Sequence, residues 1–62
     1  MTTTTPTAAA FVSALDRNVD AFYSDRVTFA EFGAANRRIW RSIEEAGPAC
    51  RAEVDRVLRS RP

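Results

Sequence analysis

The 62-residue chain contains no histidine and no lysine, and it has a single cysteine. Histidine is the usual general base and the commonest metal ligand, and lysine supplies the Schiff-base amine of covalent catalysis. One cysteine allows no internal disulfide, which fits a reducing compartment, so we expect a cytoplasmic location. These absences predict no catalytic residues, no metal site and no cofactor, and therefore a protein that is not an enzyme.

The chain also has no large excess of charge of either sign and no long apolar run. Nine arginines stand against eight acidic residues, and a net charge of +1 disfavours a protein built for non-specific nucleic-acid binding. No run approaches the roughly 18 apolar residues of a membrane span, and the N-terminus lacks a basic signal region, so no membrane association is expected. A chain this small buries little of its surface on folding. We therefore expect a second copy of the chain, a larger protein partner, or both.

The spacing of the apolar residues predicts an all-α fold. Residues 1–7 are predicted to form a flexible threonine-rich tail, in which Thr7 caps the first helix, and residues 8–62 to form a single small helical domain. Apolar positions then recur at steps of three and four, which is the helical period. These apolar positions are Ala8, Val12, Leu15, Val19 and Phe22 in the first helix, and Phe29, Phe32, Ile39, Ile43 and Ala46 in the second.

These stripes place a helical hairpin at about 8–24 and 29–46, followed by a short third helix at about 49–59. The architecture is predicted to be either a three-helix unit or half of a dimeric helical bundle.

The start and end of the second helix carry the strongest local patterns. Thr28 and Glu31 have the spacing of a capping box, and Val27 and Phe32 are placed for a hydrophobic staple around it. At the other end, Gly47 is expected to take the left-handed conformation that closes a helix, with a proline directly after it.

The string DRVTFAEF, which starts at Asp25, resembles the turn of short bacterial helical hairpins of the SHOCT type. The resemblance covers Leu15 to Trp40 and implies a hairpin without implying an activity. The same string is similar to the second half of an EF-hand loop. However, Phe22 stands where the third calcium ligand belongs and Asp25 where the turn glycine belongs, so no calcium site is predicted.

Three arginines, Arg37, Arg38 and Arg41, fall on the outward face of the second helix. One interpretation is a solvated face on which Arg41 pairs with Glu44 and Glu45 one turn later. The alternatives are that the three guanidinium groups bind an acidic protein surface or phosphates.

Three aromatic residues lie beside the predicted helical seam: Phe11, Tyr23 and Trp40. Helix 3 could cover one side of the hairpin and bury some of them. Alternatively, they anchor a dimer or partner interface, and Trp40 with Arg37 and Arg41 has the composition of an interface hot spot.

Three further residues carry more than one interpretation. Asn36 interrupts the apolar seam and either pairs with Asn18 across the hairpin or is reached by solvent. Gly33 lies inside helix 2 and is expected to permit a close approach by helix 1 or by another chain. Cys50, beside Arg51, is expected to be a small, partly buried apolar residue, with redox sensing or an intermolecular disulfide as the alternative.

Two functions of different class are compatible with this sequence. The first is a non-catalytic protein–protein interaction module, such as a small adaptor, accessory subunit or inhibitor of a larger bacterial, phage or plasmid protein. The second is a small dimeric DNA-binding regulator of the antitoxin type. Helix 2 begins with Phe29, Ala30 and Glu31, which are apolar and acidic where base and phosphate contacts belong, so the interaction module is favoured.

Overall fold

A computed structural model describes residues 4–61, and within them the chain forms three α-helices and no strand. Helix α1 spans Pro6–Tyr23, α2 spans Phe29–Glu45 and α3 spans Pro48–Arg59. The all-α prediction of a hairpin with a short third helix is therefore confirmed. The predicted flexible tail falls in part on residues 1–3, which lie outside the described residues.

Helix α1 begins two residues earlier than the sequence pattern predicts. Thr5, not Thr7, is the N-cap, and its hydroxyl oxygen accepts a hydrogen bond from the Ala8 amide at 3.2 Å. Pro6 explains the shift, because its missing N–H costs nothing at the first helical position and its ring pushes Thr5 into the extended conformation that an N-cap needs.

The turn between α1 and α2 is built from two capping motifs. At the end of α1, the Arg26 amide donates to the Ala21 carbonyl and the Asp25 amide to the Phe22 carbonyl, which is the Schellman pattern. Asp25 takes the positive φ of 58° that this motif requires. At the start of α2, Thr28 and Glu31 form both hydrogen bonds of the predicted capping box, at 3.1 and 2.8 Å.

The link from α2 to α3 turns at Gly47. Its φ is positive, as predicted, but its dihedral angles of 107° and 166° lie outside the left-handed helical region. The prediction of a left-handed cap is therefore wrong. Ala46 is the C-cap of α2, and Gly47 instead serves as the N-cap of α3 in a conformation that is almost restricted to glycine.

The hydrophobic core is small and lies away from the α1–α2 turn. Five residues of the described chain are buried: Ala8, Val12, Leu15, Ile43 and Val54. The half-buried residues that pack against them come from all three helices: Phe11, Ile39, Trp40, Cys50, Val57 and Leu58. The packing of Cys50 confirms its predicted role as a partly buried apolar residue.

Helix α3 covers only part of the hairpin that α1 and α2 form. Its 12 residues span about 18 Å, against about 27 Å for the 18 residues of α1. The Thr5 amide donates to Glu53 near the start of α1, and Arg61 donates to both carboxylate oxygens of Asp16. Therefore α3 runs in the same direction as α1 and ends near Asp16, which leaves residues 17–23 of α1 beyond it.

Candidate protein-interaction surface

The end of the hairpin that α3 leaves uncovered carries a cluster of apolar side chains. We name it the hairpin-end surface and define it by Val19, Phe22, Tyr23, Phe29 and Phe32. Tyr23 is 79% exposed, Phe29 67% and Val19 39%, and these are the most exposed large hydrophobic residues of the described chain. The helical spacing predicts a buried seam at Val19 and Phe29, and the structure shows that this prediction is wrong at both positions.

The four aromatic rings of this surface pack against each other. The ring of Phe22 lies at its centre, with ring-centroid distances of 5.0 Å to Phe32, 5.7 Å to Tyr23 and 5.9 Å to Phe29. Phe29 and Phe32 are 6.4 Å apart. Tilted pairs at these distances are worth about 0.5–1.5 kcal/mol beyond the area they bury. The cluster therefore holds the turn end of the hairpin together while its outer rings face solvent.

A hydrogen bond from a side chain to the backbone also connects the two helices that carry these rings. The Asn18 side-chain amide donates to the Phe32 carbonyl oxygen at 3.1 Å, which ties α1 to the first turns of α2. The predicted pairing of Asn18 with Asn36 is therefore not made, because the Asn18 amide is used by the backbone of α2. Asn36 is half-buried.

Trp40 occupies a different part of the molecule, where α2 meets α3. It is half-buried and packs against the core, and the guanidinium carbon of Arg51 lies 4.9 Å from its ring centroid. Arg51 is held there by Glu44 at 3.0 Å and by Asp55 at 3.4 Å. The guanidinium that lies over the Trp40 ring thus belongs to Arg51 of α3 and not to Arg37 or Arg41 of α2.

The arginine face, which consists of Arg37, Arg38 and Arg41, is exposed as the sequence predicts. Among residues 4–61, none of its three side chains lies within 4 Å of a carboxylate, so the predicted pairs of Arg41 with Glu44 and Glu45 are wrong. Glu44 pairs with Arg51 instead, because α3 brings that arginine within reach.

The six residues predicted to bind a partner do not form one surface. Phe11 packs against the core, whereas Tyr23 lies twelve positions further along α1, about 18 Å away. Of the three aromatic candidates, only Tyr23 belongs to the hairpin-end surface. The aromatic residues on both sides of the turn were the signal for this surface in the sequence, but the a/d spacing assigned Phe22, Phe29 and Phe32 to the core.

Gly33 lies on α2 one turn after Phe29 and is half-buried. A methyl group built at this position would meet only the guanidinium of Arg37, at 3.4 Å. The predicted close approach of helix 1 is therefore wrong. Gly33 therefore separates the exposed ring of Phe29 from the guanidinium of Arg37 along this face of α2.

Three carboxylates outside this surface carry lowered pKa values. Hydrogen bonds from Arg61 lower the pKa of Asp16, and the backbone N–H of Thr5 lowers that of Glu53. The backbone amide and hydroxyl of Thr28 lower the pKa of Glu31 in the capping box. All three carboxylates either cap a helix or attach α3 to α1, so their lowered pKa values reflect interactions that stabilise the fold.

Other features of the molecule point to no built chemical site. An open depression along one side of α3 is lined by Ala52, Asp55, Arg56, Arg59 and Ser60, so all its walls come from one helix and its C-cap. Within residues 4–61, no polar side chain is buried, and no group of three or more potential metal ligands is found. None of the helices described combines the length and the apolar character needed to cross a membrane.

Comparison with known proteins returned no match to any family model, curated protein or solved structure. The resemblance to SHOCT-type hairpins therefore finds no support beyond the helical hairpin itself.

Proposed function

We propose that this protein is a non-catalytic protein–protein interaction module that binds a larger protein through its hairpin-end surface. The observation that carries the proposal is the exposure of Tyr23 and Phe29, at 79% and 67%, within a cluster of four aromatic rings. Contiguous exposed aromatic residues are typical of interface anchors, since they offer much apolar area at a low cost in conformational entropy.

The mutual packing of the rings prepares this surface for binding. Phe22 holds the rings of Tyr23 and Phe29 from below, and the capping box and Schellman motif fix the backbone on both sides of the turn. A partner that covers these rings gains buried apolar area without having to order the segment that carries them. Preorganisation of this kind raises affinity for a given contact area.

The arginine face supplies the polar part of the proposed interface. The guanidinium of Arg37 lies beside Gly33, one turn after Phe29 on α2, and brings a positive charge to that side of the hairpin-end surface. Guanidinium groups without a carboxylate partner of their own can form two-pronged hydrogen bonds with carboxylates of another protein. We therefore expect the partner to present an apolar patch with acidic residues along one border.

Affinity capture of partners from the source organism, with the full chain as bait, tests this function. Phe29→Glu places a charge at one of the two most exposed rings of the surface. The fold should tolerate it, because Phe29 is largely exposed and an acidic residue is favourable in the first turn of a helix. Ala52→Glu, on the exposed side of α3, is the matched control, since both variants change the net charge from +1 to 0.

We expect one protein to be captured in stoichiometric amount by the wild type and by Ala52→Glu, and at least about tenfold less of it by Phe29→Glu. Tyr23→Gln, which keeps the net charge, should also reduce capture. Equal capture by all variants would contradict the proposed surface. Recovery of nucleic acid instead, lost steeply as salt is raised, would support the DNA-binding alternative.

A further inference from the structure

We propose that α3 opens from the hairpin as one unit, and that this opening is coupled to the loss of the first turn of α1, because Glu53 of α3 caps that turn. The hairpin-end surface stays folded in the open form. This inference goes beyond the proposed function and does not depend on the site at which a partner binds. Three features of the described residues support it: the cap of α1, the attachment of α3 and the separate packing of the turn end.

The first turn of α1 has no carboxylate of its own to cap it. In α2, Glu31 at the third helical position accepts a hydrogen bond from the backbone N–H of the N-cap residue Thr28. The corresponding residue of α1 is Ala8, which is completely buried in the core, and no acidic residue occurs in this turn. A glutamate at position 8 would bring a charge into the core, so the packing of α1 excludes the usual capping residue.

Glu53 supplies the missing half of this capping box from another helix. Its carboxylate accepts a hydrogen bond from the Thr5 N–H, while the Thr5 hydroxyl accepts one from the Ala8 amide at 3.2 Å. These are the two hydrogen bonds of a capping box, except that the carboxylate comes from α3. The first turn of α1 is therefore fully capped only while α3 is docked. Such coupling is reciprocal, so formation of this turn also favours the docking of α3.

The attachment of α3 to the hairpin is limited in extent. Val54 is the only buried residue of α3, and three further apolar residues are half-buried against the core. The contact of Arg61 with Asp16 is exposed, and exposed ion pairs contribute little to stability. At Gly47, which joins α3 to α2, no atom lies within 4 Å of the position where a side chain would begin. Elements with few buried contacts are the ones that open locally.

The turn end of the hairpin packs through α1 and α2 alone. The ring of Phe22 lies 5.9 Å from that of Phe29 and 5.0 Å from that of Phe32, and the Asn18 side chain donates to the Phe32 carbonyl oxygen. The capping box at Thr28 closes the same end. Opening of α3 leaves these contacts in place. We therefore expect α3 and the first turn of α1 to open at a lower free energy than the whole chain.

NMR spectroscopy of the purified full chain tests both directions of this coupling. Glu53→Ala should move the Cα chemical shifts of residues 6–10 away from helical values, although the substitution lies on another helix. In the opposite direction, Thr5→Ala removes the N-cap hydroxyl of α1 and should speed hydrogen exchange of the Val57 and Leu58 amides of α3 by about threefold to tenfold. Glu53→Ala should speed the same amides.

Glu31→Ala is the matched control for Glu53→Ala. Each variant removes one carboxylate that accepts from an N-cap N–H, and each changes the net charge from +1 to +2. Glu31→Ala acts at the turn end, so it should leave the chemical shifts of residues 6–10 and the exchange of the α3 amides at their wild-type values.

Each contrary result overturns a stated part of the inference. Unchanged chemical shifts at residues 6–10 in Glu53→Ala would contradict the cap supplied by α3, and unchanged α3 exchange in Thr5→Ala would contradict the coupling. If Glu31→Ala speeds the α3 amides as much as Glu53→Ala does, α3 opens only together with the whole chain. None of these outcomes affects the proposed function, which is tested separately by partner capture with Phe29→Glu.

Discussion

The two glycines of the chain allow the same substitution to be tested in two opposite environments. Gly33 lies inside α2 with a helical backbone and open space for a methyl group, apart from the movable guanidinium of Arg37 at 3.4 Å. Gly47 also has open space around it, but its φ is +107°. Gly33→Ala should therefore stabilise the monomer, while Gly47→Ala should destabilise it through backbone strain alone.

The expected sizes follow from the local conformation. Alanine exceeds glycine by about 1 kcal/mol in a helix interior, so Gly33→Ala should raise the free energy of unfolding by about 0.5–1 kcal/mol. For a domain of this size that corresponds to an increase of about 2–8 °C in Tm. Strain at Gly47 costs about 1–3 kcal/mol and should lower the Tm by about 4 °C or more.

Thermal unfolding followed by circular dichroism at about 5 µM measures both effects, and the low concentration limits any contribution of self-association to the Tm. A lower Tm for Gly33→Ala would refute the geometry, because it would mean that another part of the monomer packs on this glycine. An unchanged Tm for Gly47→Ala would show that the turn does not need the positive φ.

Three further outcomes follow from the core, the turn and two hydrogen-bonded carboxylates. Ile43→Ala removes a fully buried side chain and should cost about 2–5 kcal/mol in urea unfolding; a cost below about 1 kcal/mol would contradict the assigned core. Thr28→Ala removes the cap of α2 and should lower stability by about 1 kcal/mol, with Ser at this position restoring most of it. The lowered pKa values of Asp16 and Glu53 mean that their stabilising contributions are complete above about pH 5 and are lost as the pH falls through the folded-state values, so Tm should decline below about pH 4.5. Asp16→Asn should decline less steeply over the same range, and parallel curves would show that its contact with Arg61 is not formed in solution.

Features set by neighbouring residues could be predicted from the sequence. The capping box at Thr28 and Glu31 depends on residues three positions apart, and it forms as predicted. The start of α1 also depends on neighbouring residues. Both Thr5 and Thr7 are suitable N-caps, and Thr5 takes this role because Pro6 favours the first helical position. Helix bounds were therefore predictable to within about two residues.

Features set by tertiary packing could not be predicted in the same way. The a/d spacing at Val19 and Phe29 is as regular as it is at Val12, but spacing does not show how far α3 extends along the hairpin. Glu44 pairs with Arg51 and not with Arg41 as predicted, and Arg51 also lies over the Trp40 ring, because the turn at Gly47 brings α3 back against α2. Both differences move the candidate surface from Trp40 to the turn end of the hairpin.

The central claim is that binding takes place at the hairpin end, and site-specific photocrosslinking inside cells of the source organism tests it most directly. A benzophenone-bearing phenylalanine analogue replaces Phe29 in one protein and Ala52 in the control, so that each probe samples one exposed position. Our account predicts discrete adducts with a larger protein from position 29 and none from position 52. Adducts from position 52 alone, or equally from both positions, would contradict it.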